Sequence, residues 1–236
     1  MTTEVGRSWF REIYRNLPNI VSILGVVPLS LLLLEDGFRY FPALVIYNNV
    51  MDDLDGILAR KLHLTSDFGA RLDNVADAVS HILIALVVGA HYGGIVLAAS
   101  GVAAAAILVR VVQRLGPSPI SGIGTPTNEL MRHLLLVVVL QNAFDFDIAG
   151  YLVAVFLLNS VSMLVPFSMP HLVRARAKSI AAVAGVNVAL AAAWLVAVTA
   201  PFVAAAFFGT YLYSFWVSGW AWVRGLRRQQ GSHGHT

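Results

Sequence analysis

Apolar residues form eight long runs along the chain, separated by short polar segments. The runs cover residues 18–35, 39–59, 70–92, 94–114, 127–144, 147–166, 179–200 and 202–223. A helix that crosses a bilayer needs about 20 predominantly apolar residues, and each run approaches that length. The pattern therefore predicts an all-α, polytopic membrane protein with about eight transmembrane helices. Pro28 and Pro42 lie inside the first two runs and predict local kinks there.

The composition agrees with this membrane assignment. Of the 236 residues, 58% are hydrophobic and only 12% are charged, whereas about 25% charged residues are usual in soluble domains. The chain has no cysteine, which excludes disulfides, thiolate nucleophiles and cysteine-based metal sites. No small-residue cleavage site follows the first run, so we do not expect it to be a removable signal peptide. We predict the lipid bilayer as the surroundings and no nucleic-acid partner.

The basic residues are distributed unevenly between the two sides of the predicted membrane. Fifteen of the 16 lysines and arginines fall at the termini or around the ends of the runs on one side, and only Arg39 falls on the other. Cytoplasmic loops of membrane proteins carry an excess of Lys and Arg. The distribution therefore predicts a multi-pass protein of the cytoplasmic (inner) membrane, with both termini on the cytoplasmic side.

Three segments follow from this topology. Residues 1–17 place Trp9 and Tyr14 among arginines, a pattern typical of an amphipathic helix lying on the inner leaflet. Residues 18–224 form the membrane domain. Residues 225–236 are polar and basic, and we expect them to form a disordered cytoplasmic tail.

Acidic residues are concentrated at the facing ends of the second and third apolar runs. Six of the chain's 13 acidic residues lie between positions 52 and 77. Helical spacing puts four of them on two faces that can meet across a short loop, together with small and basic residues. The first face contains Asp52, Asp55, Gly56, Ala59 and Arg60, and the second contains Gly69, Asp73 and Asp77. Asp53 and Asp67 fall off these faces, and we expect both to be solvated.

Four carboxylates in one place repel each other unless cations compensate their charge. Ionisable residues inside membrane spans are costly and usually functional. A set of oxygen ligands without His or Cys suits Mg²⁺, Mn²⁺ or Ca²⁺. Helix capping or pairing with arginine would account for one or two such acids, but hardly for four. The segment therefore predicts a site for a hard divalent cation at the cytoplasmic rim.

The whole pattern, Asp52-x2-Asp55-Gly56-x2-Ala59-Arg60-x8-Gly69-x3-Asp73-x3-Asp77, resembles the signature of the CDP-alcohol phosphotransferases. All eight signature residues are present at the family spacing. The resemblance implies transfer of a phosphatidyl group from a CDP-linked lipid such as CDP-diacylglycerol to a small alcohol, with release of CMP. It also implies one or two Mg²⁺ or Mn²⁺ ions and a homodimer.

The same resemblance implies a role for each residue. Asp52, Asp55 and Asp73 would be metal ligands, and Asp77 would be both a ligand of the second ion and the base for the acceptor hydroxyl. The residues expected around the nucleotide are Asn19, Asp52, Gly56, Ala59, Arg60 and Gly69.

Several shorter segments bear on the acceptor alcohol, and they point to different alcohols. "TSDFGARLD" and "GIGTPTNELM" are similar to phosphatidylserine synthases, whereas "VPFSMPHLVRARAK" and "GTYLYSFW" are closer to bacterial phosphatidylcholine synthases. The gap of eight residues between Arg60 and Gly69 lacks the insertion expected in the choline branch. "NLPNIVSILGVVP" resembles phosphatidylglycerophosphate synthases. L-Serine is the predicted acceptor, and choline, glycerol 3-phosphate and inositol phosphate are the alternatives.

The chemistry of each acceptor suggests different binding residues. A carboxylate or phosphate would need arginines, and a choline would need an aromatic cage. The candidate arginines are Arg71, Arg110 and Arg132, with Arg114, Arg174 and Arg176 also on the cytoplasmic side. The candidate cage residues are Tyr47, Tyr211, Tyr213 and Phe215.

A divalent-cation transporter is the alternative of a different class, because acid clusters also line ion paths. The chain lacks the matched broken helices and inverted repeats of many transporters, and its acids gather at one rim. We therefore favour the transferase.

Overall fold

The computed structural model describes residue 9 and residues 11–116, 123–177 and 179–233, with the backbone alone for residues 227–233. Within these ranges the regular structure is helical, apart from one isolated bridge between Gly124 and Ser168. The α-helices are α1 Leu17–Val26, α2 Phe41–Lys61, α3 Asp67–Tyr92, α4 Gly94–Leu115, α5 Asn128–Phe144, α6 Ala149–Leu164, α7 Val173–Arg176, α8 Ile180–Leu195 and α9 Ala200–His233. Short 3₁₀ segments cover Val27–Leu33, Gly37–Tyr40 and Ala197–Thr199.

The predicted all-α membrane architecture is confirmed. In the part of the chain that the structure describes, three helices are long and apolar enough to cross a membrane: Asp67–Tyr92, Gly94–Leu115 and Ala197–Leu226. Three apolar segments there are shorter: Leu17–Leu33, Ala149–Leu164 and Ile180–Leu195. The first predicted run changes from α to 3₁₀ geometry at Val27, beside Pro28, which has no N–H to continue the α-helical hydrogen bonds. The count of eight spans stays a prediction.

The predicted terminal segments, residues 1–17 and 225–236, are described only in part. Residues 1–8 and Phe10, which carry part of the predicted amphipathic helix, lie outside the described residues. Residues 11–15 are helical, with Trp9, Ile13 and Tyr14 exposed. At the other end, the backbone of α9 remains helical through His233, beyond the boundary predicted at residue 224.

Helix α5 is the centre of the bundle. It packs against α2, α3, α6, α8 and α9, and its side chains are buried on every face from Glu129 through Val139. Because other helices rather than lipid surround it, α5 can carry Glu129, Arg132 and His133 without exposing them to hydrocarbon. The core of apolar side chains forms around this helix.

Helices α1, α2 and α3 bring the acidic segment together. The loop between α2 and α3 turns the chain back, and Ser66 caps α3 by accepting a hydrogen bond from the Gly69 backbone N–H at 3.0 Å. Helix α1 packs against both α2 and α3. It therefore forms a third wall beside the two helices that carry the aspartates.

Helices α3 and α4 form a tight hairpin in which small residues allow close packing. A Cβ atom added to Gly89 would overlap the Ser100 Oγ and would lie 3.2 Å from the Leu97 Cα. Gly93 ends α3 with a φ of 66°, a conformation that glycine adopts readily. The close approach of the two helices therefore depends on the absence of a side chain at position 89.

We predict that Gly89→Ala destabilises the protein. Alanine is favoured over glycine in helices, but here its methyl group overlaps Ser100, and overpacking typically costs about 1–3 kcal/mol. Gly101→Ala is the matched control, because an added Cβ there meets no atom within 4 Å. Thermal unfolding in detergent should show a lower midpoint for Gly89→Ala and an unchanged or raised midpoint for Gly101→Ala. Equal midpoints for the two variants would contradict the packing argument.

Candidate active site

The aspartates of α2 and α3 converge in the structure. One carboxylate oxygen from each of Asp52, Asp55 and Asp73 lies within 4.8 Å of the others. Asp77 lines the same narrow cavity as these three residues. The four predicted carboxylates therefore form one group, which we call the aspartate cluster.

Two side chains from outside α2 and α3 bind this cluster. Ser22 of α1 donates a hydrogen bond of 2.5 Å to Asp55 Oδ2, and Asn128 at the start of α5 donates one of 2.7 Å to Asp52 Oδ2. Hydrogen bonds to a carboxylate are stronger than those between neutral groups, so both stabilise charge in a crowded acidic site. Ser22 is not among the predicted residues, although it lies one helical turn after Asn19 and could have been found from that spacing.

A groove adjoins the cluster where the nucleotide residues were predicted. Asn19, Gly56, Ala59 and Gly69 line a cavity of about 130 Å³ together with Asp55 and other residues of α1 and α3. A Cβ atom at Gly69 would lie 3.1 Å from Asn19 Oδ1, and one at Gly56 would lie 3.3 Å from the Arg60 guanidinium. The small residues of the motif therefore leave a narrow opening between α1, α2 and α3.

A second cavity, of about 370 Å³, is lined by three arginines: Arg110 and Arg114 of α4 and Arg174 of α7. We call it the arginine cavity. Arg110 is buried and donates to the carbonyl oxygen of Ile123, while its Nε has no hydrogen-bond partner among the described residues. Of the three predicted acceptor residues, the structure places only Arg110 here.

The arginine cavity and the aspartate cluster are close neighbours. Arg114 donates to Asn74 Oδ1 at 3.3 Å, and Asn74 directly follows Asp73. Arg174 binds Asp53, which directly follows Asp52. Each of these two arginines thus contacts the residue next to an aspartate of the cluster, so cationic and anionic walls lie side by side.

The other two predicted acceptor residues lie elsewhere. Arg71 is exposed in the first turns of α3. Arg132 is buried and is already paired, because it donates to Glu129 Oε1 at 2.7 Å and to Asn49 Oδ1 at 3.0 Å. The structure therefore gives Arg132 a buried ion pair within the bundle and does not place it in the arginine cavity.

The interpretation of Asp53 as a solvated residue was wrong. Its carboxylate is buried and accepts hydrogen bonds from Arg174 and Asn187. The reason is that α7 and α8 cover the face of α2 next to the motif face, which the hydropathy pattern does not indicate. Asp67 is exposed as expected.

The aromatic residues suggested for a choline cage have other contacts. The Tyr47 hydroxyl donates to the Leu24 carbonyl oxygen at 3.1 Å, and the Tyr211 hydroxyl donates to Ser162 Oγ at 2.8 Å. Tyr213 is exposed, and Phe215 packs against Phe167. Tyr47 and Tyr211 thus belong to different parts of the bundle.

Comparison with known proteins identifies the family of this chain. The family model of CDP-alcohol phosphatidyltransferases matches residues 15–226, which include the aspartate cluster and both cavities. The chain therefore belongs to the CDP-alcohol phosphatidyltransferase family. Members of this family are transferases that generally use a divalent metal.

Individual relatives match over shorter stretches. A CDP-diacylglycerol–serine O-phosphatidyltransferase of Methanocaldococcus jannaschii is 36% identical over 64 residues, which are 27% of this chain and 30% of the relative. An uncharacterized protein of Aquifex aeolicus is 35% identical over 83 residues, which are 34% of this chain and 42% of the relative. The matches thus span less than half the length of either curated relative.

We predict that Arg132→Met lowers the stability of the fold and does not act mainly by weakening acceptor binding. The variant leaves Glu129 buried without its cation, and breaking a buried ion pair typically costs about 3–5 kcal/mol. The double variant Glu129→Leu, Arg132→Met removes both charges and should recover much of the lost stability. Thermal unfolding in detergent measures the effect. A single variant with normal stability and a raised acceptor KM would instead favour a role in binding the acceptor.

Proposed function

We propose that the protein transfers a phosphatidyl group from CDP-diacylglycerol to L-serine and releases CMP. The observation that carries this proposal is the arginine cavity beside the aspartate cluster. A donor pyrophosphate and an acceptor carboxylate are both anionic, yet they require different surroundings. The aspartate cluster suits a pyrophosphate held through cations, and the arginine cavity suits the carboxylate of the acceptor.

The charge of the arginine cavity supports an anionic acceptor over a cationic one. Arg110, Arg114 and Arg174 line it, and arginine binds carboxylates and phosphates in a geometry that lysine does not match. Choline carries a permanent positive charge and would be repelled. The name of the Methanocaldococcus jannaschii relative also favours serine. Glycerol 3-phosphate or inositol phosphate is the second candidate, since a phosphate would also suit three arginines.

The aspartate cluster fits a divalent metal. Three carboxylate oxygens within 4.8 Å of one another compare with about 4.2 Å between opposite ligands of Mg²⁺ at 2.1 Å each. The donor set contains only oxygen, as Mg²⁺ and Mn²⁺ prefer. We propose that Asp52, Asp55 and Asp73 hold one ion and that Asp77 contributes to a second. When bound, such ions neutralise pyrophosphate charge and stabilise the attacking and leaving oxygens.

We propose Asp77 as the base of the reaction. Its carboxylate would accept the proton of the serine hydroxyl while the serine oxygen forms a bond to the phosphorus that carries diacylglycerol. The bond from that phosphorus to the oxygen bridging to CMP then breaks, and CMP leaves with the electron pair. Asp77 lines the cavity of the cluster, so it lies where a carboxylate could reach the hydroxyl of an acceptor.

The groove beside the cluster is the proposed site of the cytidine nucleotide. Asn19 would face the nucleotide from α1, while Gly56, Ala59 and Gly69 leave room for it. Arg60 lies next to Gly56 and would contact the nucleotide from the rim. We place this site on the cytoplasmic side from the distribution of basic residues. A homodimer stays a prediction, and the membership of a transferase family argues against the cation transporter.

An assay of CMP release tests the reaction and the acceptor together. Purified protein in detergent with CDP-diacylglycerol and Mn²⁺ should release CMP with L-serine and not with choline. EDTA should abolish release, and added Mg²⁺ or Mn²⁺ should restore it. Release with glycerol 3-phosphate or inositol phosphate in place of serine would keep the reaction class and change the acceptor. Absence of release with all four alcohols would contradict the proposed function.

A substitution tests the role of Asp77 as base. Asp77→Asn should lower CMP release at least about 100-fold, because a general base contributes on that order, while CDP-diacylglycerol still binds. Asp67→Asn is the matched control, since Asp67 is exposed on the same helix. Turnover of Asp77→Asn at the wild-type rate would rule out this assignment.

A further inference from the structure

Asp53 connects the two halves of the proposed site, although it belongs to neither. It directly follows Asp52 on α2, and its own side chain is buried and turned toward α7 and α8. One carboxylate oxygen, Oδ1, accepts hydrogen bonds from two nitrogens of Arg174 at 3.0 and 2.5 Å. The third nitrogen of Arg174 donates to the Ala177 carbonyl oxygen at 3.2 Å. The guanidinium is therefore held at all three nitrogens.

Arg174 nevertheless remains available to a ligand. Its side chain is 29% exposed, whereas that of Asp53 is 4% exposed, and Arg174 lines the arginine cavity. The buried carboxylate of Asp53 thus fixes the guanidinium of Arg174, while part of the Arg174 side chain remains exposed to the arginine cavity. An arginine held in this way loses less conformational freedom when it binds an anion than a mobile arginine would.

A series of hydrogen-bonded amides holds Asp53 in turn. Asn187 of α8 donates to Asp53 Oδ2 at 2.8 Å, Asn49 donates to Asn187 Oδ1 at 2.6 Å, and Arg132 donates to Asn49 Oδ1 at 3.0 Å. This series of hydrogen bonds begins at the Asp53 carboxylate, which only accepts hydrogen bonds, and ends at the Arg132 guanidinium, which only donates them. Both amides therefore have one orientation that satisfies every group, and the negative charge of Asp53 sets it.

We propose that Asp53 is a positioning residue that holds Arg174 in the arginine cavity for the anionic group of the acceptor. This inference rests on the proposed function of that cavity. Because Asp52 and Asp53 are consecutive residues of α2, this helix fixes the position of the aspartate cluster and the position of Arg174 at the same time. A buried ion pair that only ties α7 to α2 is the alternative.

Steady-state kinetics of the full-length chain in detergent separate these two roles. Asp53→Asn should raise the KM for the acceptor about tenfold, as expected for the loss of hydrogen bonds between charged groups, and leave the KM for CDP-diacylglycerol within about twofold. Arg174→Lys should show the same pattern, because lysine keeps the charge but cannot make the paired contact. A change of both KM values together with a lower thermal midpoint would overturn the proposal in favour of a structural pair.

Two control variants match these substitutions. Asp67→Asn removes an exposed acid at the start of α3. Arg176→Lys changes an exposed arginine of α7 that does not line the arginine cavity and donates to His171 at 3.0 Å. Neither should alter either KM. An unchanged acceptor KM in Asp53→Asn, with an active wild type, overturns the inference while the proposed function stands. A wild type that uses another anionic alcohol instead of serine overturns the proposed acceptor, and the same comparison is then made with that alcohol.

A measurement independent of turnover covers a protein that is inactive with every alcohol tried. Phenylglyoxal modifies accessible arginines, and peptide mass spectrometry can follow Arg174 and Arg176 separately. Release of Arg174 from its buried partner in Asp53→Asn should raise its modification rate about tenfold and leave that of Arg176 unchanged. Equal rates for Arg174 in wild type and variant overturn the inference.

Discussion

Mutual repulsion among four aspartates at one point of an apolar bundle is the constraint on which the rest of the structure depends. Like charges in a low-dielectric environment are unfavourable unless nearby donors or cations compensate them. In this protein, side chains from helices that carry none of the aspartates donate hydrogen bonds to the cluster. Ser22 binds Asp55, and Asn128 binds Asp52. Helices α1 and α5 are therefore parts of the site as much as α2 and α3.

The same repulsion explains why the arginine cavity lies next to the aspartate cluster. Positive charge close to the cluster is favourable, but a direct ion pair with a cluster aspartate would occupy the oxygens that a metal needs. Arg114 and Arg174 bind Asn74 and Asp53 instead, one residue away from the cluster. This arrangement keeps both charges available to ligands, one for cations and one for anions. It would also separate the pyrophosphate of the proposed donor from the carboxylate of the proposed acceptor.

Much of the fold and of the aspartate cluster could be predicted from the sequence, because both depend on local periodicity. Apolar runs mark the helices, and spacing on α2 and α3 puts Asp52, Asp55, Asp73 and Asp77 on facing stripes. The rest depends on contacts between helices far apart in the chain. Asp53 is buried because α7 and α8 cover it, which no pattern near residue 53 reveals. Arg132 has its partner Glu129 three residues away, a spacing that was available in the sequence, but the choice of that partner depends on the complete burial of α5.

The central position of α5 has a consequence for how the protein assembles in a bilayer. Arg132 and Glu129 lie in the first two turns of α5 and are buried because five other helices surround it. Without those helices both charged side chains would have to face lipid or reach the interface, and ionisable residues within a membrane span are costly. Alone in lipid, α5 would therefore sit near the interface or be poorly inserted. Its partners α8 and α9 are made later in synthesis. Helices α8 and α9 thus complete the membrane integration of α5. Early termination of the chain before α8 would therefore affect α5, although α5 itself has already been synthesised.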